Sequence, residues 1–257
     1  MAGLTQSQAI ECFHLAFLQV LGARVNRNDY VVKGGANLRY FFDSHRYSED
    51  IDFDALIEEA WRLQDKVDEV LASPAVVAQL RTKDFAIAEI IRSKQTDTTQ
   101  RWKVLLAVPG RKDPVSTTIE FSRRDGDQRW LLEAVPDRVV ATYGLRPPTL
   151  LHYTAAPATE QKVKALAGRA ETQARDVFDL DLLFRSHPGA IEKGALETKT
   201  LNEAAERCVE LPFDAFASQV IPFLESDVAE LYTDPSSWEQ MQAFVVDNLM
   251  ELDDANN

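Results

Sequence analysis

Arg46-Tyr47-Ser48-Glu49-Asp50-Ile51-Asp52-Phe53-Asp54 decides the fold of this chain. Residues 50–54 alternate polar and apolar, which predicts a strand with one buried face. Residues two apart on a strand share a face, so Asp50 and Asp52 converge while Ile51 and Phe53 turn to the core. Two adjacent carboxylates raise each other's pKa unless a positive charge sits between them. A divalent cation is the natural partner, and Mg²⁺ commonly takes one or two carboxylates plus substrate phosphates. A solvated strand face accounts for most Asp-x-Asp strings met at random. Aspartate is disfavoured in strands, however, and this one carries three, Asp50, Asp52 and Asp54.

Upstream, residues 30–33 (Tyr-Val-Val-Lys) read as a short strand, Gly34-Gly35 breaks it, and residues 36–42 resume as a helix. A glycine pair there lets backbone approach a ligand, because no Cβ intervenes. The N–H groups at the following helix start can then hold phosphate oxygens. A plain tight turn explains an isolated glycine pair equally well. Downstream, Thr118-Ile119-Glu120-Phe121 places an acidic residue between apolar ones on another predicted strand. Glu120 is either an outward-facing surface residue or a third metal-facing carboxylate.

The order glycine pair, Asp-x-Asp strand, later acidic strand residue resembles the DNA polymerase β-like nucleotidyltransferases. Lys33-Gly34-Gly35-Ala36-Asn37-Leu38-Arg39 and Arg46 through Phe53 resemble, more closely, the AbiEii/AbiGii toxin family. Glu160-Gln161-Lys162-Val163-Lys164-Ala165-Leu166, Arg169, and Arg175-Asp176-Val177-Phe178-Asp179-Leu180 resemble its helical lysine and Arg-Asp-x-x-Asp-Leu motifs. The likeness spans about residues 30–185. Ala36 departs from it, since the family commonly has threonine there.

The resemblance implies an α+β fold: a polymerase β-like core with a mixed sheet, followed by a helical C-terminal region. It implies Mg²⁺-dependent transfer of a nucleoside monophosphate from an NTP to an acceptor, with RNA, particularly tRNA, as that acceptor. It implies the toxin of a bacterial type IV toxin–antitoxin pair, with a cognate antitoxin protein as partner. Asp50, Asp52 and Glu120 are the expected ligands of two Mg²⁺ ions, with Lys162 and Asp176 completing the catalytic set. Gly34, Gly35, Ser48 and Lys162 are the expected triphosphate contacts, while Arg39 either joins them or braces the loop. Transfer to a protein side chain, and a non-catalytic nucleotide- or partner-binding module, are the competing readings.

The helical motif has its own reading. Lys162, Leu166 and Arg169 share one helical face at i, i+4 and i+7, and basic groups there could meet a triphosphate. Asp176 stands near the start of a second helix, where the dipole favours an acidic residue. A cap and structural ion pairs explain the same residues without chemistry.

Elsewhere, Thr5 and Gln8 form a capping pattern, and Ile10, Phe13, Phe17, Val20 and Leu21 predict an amphipathic helix over 5–22. A helix is expected over 56–71, strands over 85–92, 102–108 and 116–123, and helices from Pro148 onward. Pro147-Pro148 divides an α+β core (1–147) from a helical domain (148–257).

The chain has 257 residues, 45% of them hydrophobic, enough for a sizeable core. It carries no apolar run long enough for a membrane span and no signal-peptide pattern, so a cytoplasmic location is expected. No Gly-x-x-x-x-Gly-Lys-Ser/Thr string occurs, against a P-loop NTPase. The four histidines are scattered, and Cys12 and Cys208 read as core residues. The net charge of −13 is uneven: residues 201–257 hold 13 acidic residues and one basic, Arg207. Phosphates are repelled by such a surface. An RNA acceptor is therefore expected over the front, near Arg92, Lys94, Arg101, Lys103, Arg123 and Arg124. Asp253 and Asp254 are expected at a frayed terminus.

Overall fold

A computed structural model of the protein describes residues 3–56, 59–123 and 128–253. They fall into two compact units, one of residues 1–41 and 47–153, the other of residues 42–46 and 154–257.

The first unit opens with α1 (Gln6–Arg24), β1 (Tyr30–Lys33), α2 (Gly34–Phe41) and β2 (Ile51–Ala55). Helices α3 (Ala60–Leu71) and α4 (Pro74–Arg81) follow, then β3 (Ala86–Gln95), β4 (Thr99–Ala107) and β5 (Val115–Ser122). Strand β6 (Trp130–Ala134), helix α5 (Asp137–Val140) and strand β7 (Thr149–Tyr153) complete it. The seven strands form one sheet in the order β3-β4-β5-β2-β1-β7-β6. It is mixed: β1 pairs antiparallel with β2 and parallel with β7, while β2 and β5 run parallel.

Alternation along the central strands gives the sheet two unlike faces. Ile51, Phe53, Trp102, Val104, Ile119 and Phe121 are buried in one core cluster with α1, α3 and α4. Phe53 and Phe121, paired across β2 and β5, stack with ring centroids 4.4 Å apart. By the same alternation Lys33, Asp52, Asp54, Glu120 and Ser122 belong to the opposite face.

Two expectations are corrected in this unit. The capping box at Thr5 and Gln8 forms, with Gln8 N–H donating to Thr5 Oγ1 at 3.2 Å and Thr5 N–H to Gln8 Oε1 at 3.0 Å. The helix behind it is not amphipathic, however, since residues 9–18 are all buried. The reason is that α1 packs against β5, β7, α3 and α4. Its buried polar residues are paired internally: Glu11 with Arg39 and Tyr143, and His14 with Thr117. The chain also does not turn helical at Pro148. Residues 149–153 are β7, whose last four residues are all buried. A strand buried on both faces reads as a continuous apolar run, with no alternation to betray it. Strand β6 and helix α4 were likewise not expected, although Ser73-Pro74 is a helix-start signal. Ser73 Oγ accepts from Ala75 N–H at 3.2 Å, and Pro74 occupies the first turn. The helix expected over 56–71 begins at Ala60, and Ile57 and Glu58 lie outside the described residues.

The second unit is helical: α6 (Ala155–Gly168), α7 (Ala174–Ser186), α8 (Thr198–Glu210), α9 (Phe213–Gln219), α10 (Ser226–Ala229) and α11 (Pro235–Glu251). Its core joins Leu166, Val177, Leu180, Leu201 and Cys208 to Phe216, Trp238 and Val245. Phe216 and Trp238 stack at 4.7 Å. Asp253 corrects the expectation of fraying, being buried and accepting a hydrogen bond from Thr198 Oγ1 at 2.7 Å. Asp254 lies outside the described residues. Among the described residues no helix is long and apolar enough to cross a membrane.

Candidate functional site

The site in the first unit grows from the junction of β1 and α2. Strand and helix abut without a loop, so the chain must reverse at Gly34, which it does at φ +66°. An L side chain rarely adopts that conformation. Space imposes a second requirement, because a Cβ on Gly34 would lie 3.0 Å from Asp52 Oδ2. The glycine therefore lets the start of α2, including Gly35, approach the carboxylate of β2.

Helix α2 is held firmly at its back. Asn37 donates from Nδ2 to the Tyr153 carbonyl at 3.0 Å. Arg39 is buried, pairs through Nε with Glu11 Oε1 at 2.7 Å, and lies over the Tyr47 ring at 4.4 Å. These contacts describe the bracing role that the sequence left open for Arg39. Ala36 is buried in the core cluster.

The carboxylates follow from register. Asp52 stands opposite Lys33 on β1 and opposite Glu120 on β5. Asp50 immediately precedes β2, at a bend, and its carbonyl accepts the Ser48 hydroxyl at 2.7 Å. Ser48 thus shapes the turn that delivers Asp50. The Glu120 carboxylate is held by Arg101, its partner on β4, with Arg101 Nε donating to Oε2 at 2.6 Å. Among the described residues no group of three or more His, Cys, Asp or Glu side chains is placed to hold a metal ion by itself. Asp52 with a substrate phosphate still suits the Mg²⁺ habit of one or two carboxylates completed by substrate. Gly34 keeps the backbone at the start of α2 close beside that carboxylate, with no Cβ between them.

Asp54, noted in the sequence only as a third strand aspartate, is buried on this face. It accepts Lys33 Nζ at 2.5 Å and Ser122 Oγ at 3.0 Å on Oδ1, and Tyr153 OH at 2.7 Å on Oδ2.

In the second unit the two helical motifs meet in one chain of alternating charges. Lys162 Nζ lies 3.0 Å from Asp176 Oδ1 and 2.6 Å from Asp179 Oδ2. Arg169 Nε donates to Asp176 Oδ2 at 2.7 Å, and Arg46 grips Asp179 through Nη2 at 3.0 and 2.8 Å. Burial alone would raise the Asp179 carboxyl, but Arg46 and Lys162 outweigh it and hold it below the ordinary carboxylate range. Arg169 is the C-cap of α6 and not part of its face. Asp176 is not a cap, since Gln173 holds that position and Asp176 is fully buried in the first turn. Arg46 and Asp179 were quoted in motifs yet not singled out. Their pairing across 133 positions leaves no local signal.

The basic residues expected to receive RNA are partly committed. Arg92 pairs with Asp68 at 2.6 Å, Arg101 with Glu120, and Arg123 Nη2 donates to Gln100 Oε1 at 2.8 Å. Lys94 and Lys103 are exposed on the paired strands β3 and β4, and Arg124 lies outside the described residues.

Comparison with known proteins gives the family and the fold. The family described as nucleotidyl transferase AbiEii toxin, type IV TA system, matches residues 16–255. The crystal structure of a candidate nucleotidyltransferase from H. pylori is 18% identical, with a TM-score of 0.60 over 97% of this chain and 98% of that one. That of JHP933 from Helicobacter pylori is 17% identical, with a TM-score of 0.58 over 97% and 96%. At such identities the likeness shows the fold. No curated protein matches the chain.

Proposed function

The chain belongs to the AbiEii nucleotidyltransferase family of type IV toxin–antitoxin systems, and on that premise we propose that it transfers a nucleoside monophosphate from an NTP to RNA, tRNA in particular. The observation that carries this reading is the meeting of Gly34 and Asp52, which sets a candidate phosphate cradle against a carboxylate. Asp50, Asp52 and Glu120 are the residues to hold Mg²⁺. Bound there, the metal supplies charge neutralisation at the phosphates and a more acidic acceptor hydroxyl.

The remaining work falls to the chain itself. Backbone N–H groups of Gly34 and Gly35, at the start of α2, orient phosphate oxygens, favoured by the helix dipole. Ser48 keeps Asp50 in place through its carbonyl. Lys162 contributes a cation to the triphosphate, and Asp176 fixes that cation's position. The reaction moves the nucleoside monophosphate: an acceptor oxygen bonds to the α-phosphorus, the α–β phosphoanhydride bond breaks, pyrophosphate leaves, and the acceptor's proton passes to solvent. As a toxin the protein would have a cognate antitoxin as its genetic partner.

The test is Mg²⁺-dependent release of pyrophosphate from each labelled NTP in the presence of total cellular RNA. Asp50→Asn and Asp52→Asn should abolish it with the fold intact, and Glu120→Gln should impair it severely. Activity within about tenfold of wild type in Asp52→Asn, a difference of only ~1.4 kcal/mol, would overturn the assignment. Label appearing on protein and not on RNA would move the acceptor to a side chain. Expression of the wild-type chain should arrest bacterial growth and the Asp52→Asn form should not.

A further inference from the structure

Lys33 ends β1 one residue before Gly34 and stands opposite Asp52 in the β1–β2 register. Its ammonium donates to Asp54 Oδ1 at 2.5 Å and to Ser122 Oγ at 2.6 Å. Asp54 is fixed in turn by Ser122 Oγ at 3.0 Å and Tyr153 OH at 2.7 Å. Strands β2, β5 and β7 therefore all help to position one lysine. An ammonium has three N–H donors, and two are engaged. The side chain keeps 14% of its surface open, on the face that carries Asp52 and Glu120. Stability alone gives no reason for this pair, because an apolar pair of similar volume commonly does as well. The site's chemistry does give one. Three carboxylates and a polyanionic nucleotide need cations of fixed position, and a lysine locked by a buried carboxylate is one.

We propose that Lys33 is a substrate-binding cation, its third N–H donating to a non-bridging phosphate oxygen of the bound nucleoside triphosphate. Asp54, Ser122 and Tyr153 are the positioning residues that aim it. The inference rests on the nucleotidyltransferase reading above and adds a residue to it.

The test measures binding of a non-hydrolysable NTP analogue with Mg²⁺ by calorimetry, beside the Tm of each protein. Lys33→Met alone strands the Asp54 carboxylate and is expected to weaken the fold. The deciding variant is Lys33→Met with Asp54→Asn, which removes both charges and keeps similar volumes. It should melt near wild type and bind the analogue about tenfold or more weakly, the loss expected for one hydrogen bond between charged groups. Asp54→Asn alone keeps the ammonium and should bind much more tightly than the double variant. Equal binding by these two variants at wild-type strength means that Lys33 touches no phosphate, and the inference falls while the nucleotide reading stands. Failure of the wild type itself to bind the analogue overturns both.

Discussion

Gly34 leaves no room for a side chain beside Asp52: a Cβ would come within 3.0 Å of Asp52 Oδ2, on a backbone already at φ +66°. The relationship is steric and conformational at once. Gly34→Ala should cost about 1–2 kcal/mol for the left-handed backbone alone, and it should displace the Asp52 carboxylate as well. Pyrophosphate release should therefore fall by far more than the drop in Tm suggests. A Gly34→Ala enzyme with wild-type kcat/KM would show that the close approach has no part in the reaction.

Glu120 and Arg101 offer a separate handle on the metal. The carboxylate is ion-paired with an arginine whose side chain is 44% exposed, so binding an ion there competes with a contact that water also screens. Arg101→Gln should lower the Mg²⁺ concentration that gives half-maximal activity, measured by titration at fixed NTP. An unchanged or raised requirement would remove Glu120 from the ligand set.

The strand that carries Asp52 is legible because alternation is local: Ile51-Asp52-Phe53-Asp54 can be read from a few residues, although Asp50, expected on the strand, falls at the bend before it. What could not be read is long-range. Lys33, Ser122 and Tyr153 converge on Asp54 from 21, 68 and 99 positions away, and no window of sequence contains them together. Strand β7 hides for a different reason, since burial on both faces erases the period-two pattern. Lys162 and Asp176 show the limit from another side. Spacing places them near one another on successive helices, but Asp179, which shares the lysine, depends on Arg46 at 133 positions' distance.

Arg46 and Asp179 are both buried, and that arrangement predicts a strong asymmetry. Arg46→Met leaves Asp179 with Lys162 alone and should cost about 3–5 kcal/mol of stability. Arg46→Met combined with Asp179→Asn also removes the buried carboxylate that has lost its arginine, and should recover part of that loss. Urea denaturation of both variants measures it. Equal losses would mean that the pair matters for packing and not for charge.

His14 predicts a pH dependence of the fold. Burial pushes its imidazole down to about 3 from an ordinary value of 6.5, and its Nε2 lies 2.7 Å from Thr117 Oγ1. The Thr117 hydroxyl donates onward to the Glu49 carbonyl at 2.7 Å, so the neutral ring is the donor at Nε2. Below pH 6.5 the unfolded chain takes up a proton that the folded chain refuses. Stability is therefore complete above that pH and falls as the pH drops toward 3. His14→Gln keeps a donor and removes the titration. Its stability should vary less than wild type between pH 7 and pH 5, where most carboxylates remain ionised. Parallel curves over that interval would show that His14 takes up its proton equally in the folded and unfolded chain, so that burial does not lower its pKa.

The acceptor prediction rests on Lys94 and Lys103. Of the basic residues on β3 and β4, Arg92 and Arg101 are ion-paired, whereas these two lysines are exposed with no ion pair among the described residues. Phosphate contacts normally use Lys or Arg, and each neutralised phosphate steepens the salt dependence of binding. Charge reversal of both lysines to Glu should raise the KM for RNA and flatten its dependence on salt, with the KM for NTP little changed. The readout separates acceptor binding from nucleotide binding because both constants come from one enzyme preparation. If the KM for RNA is unmoved at low salt, the β3–β4 surface does not receive RNA. A protein side chain then becomes the acceptor to test, with label transfer to total cell protein as the assay.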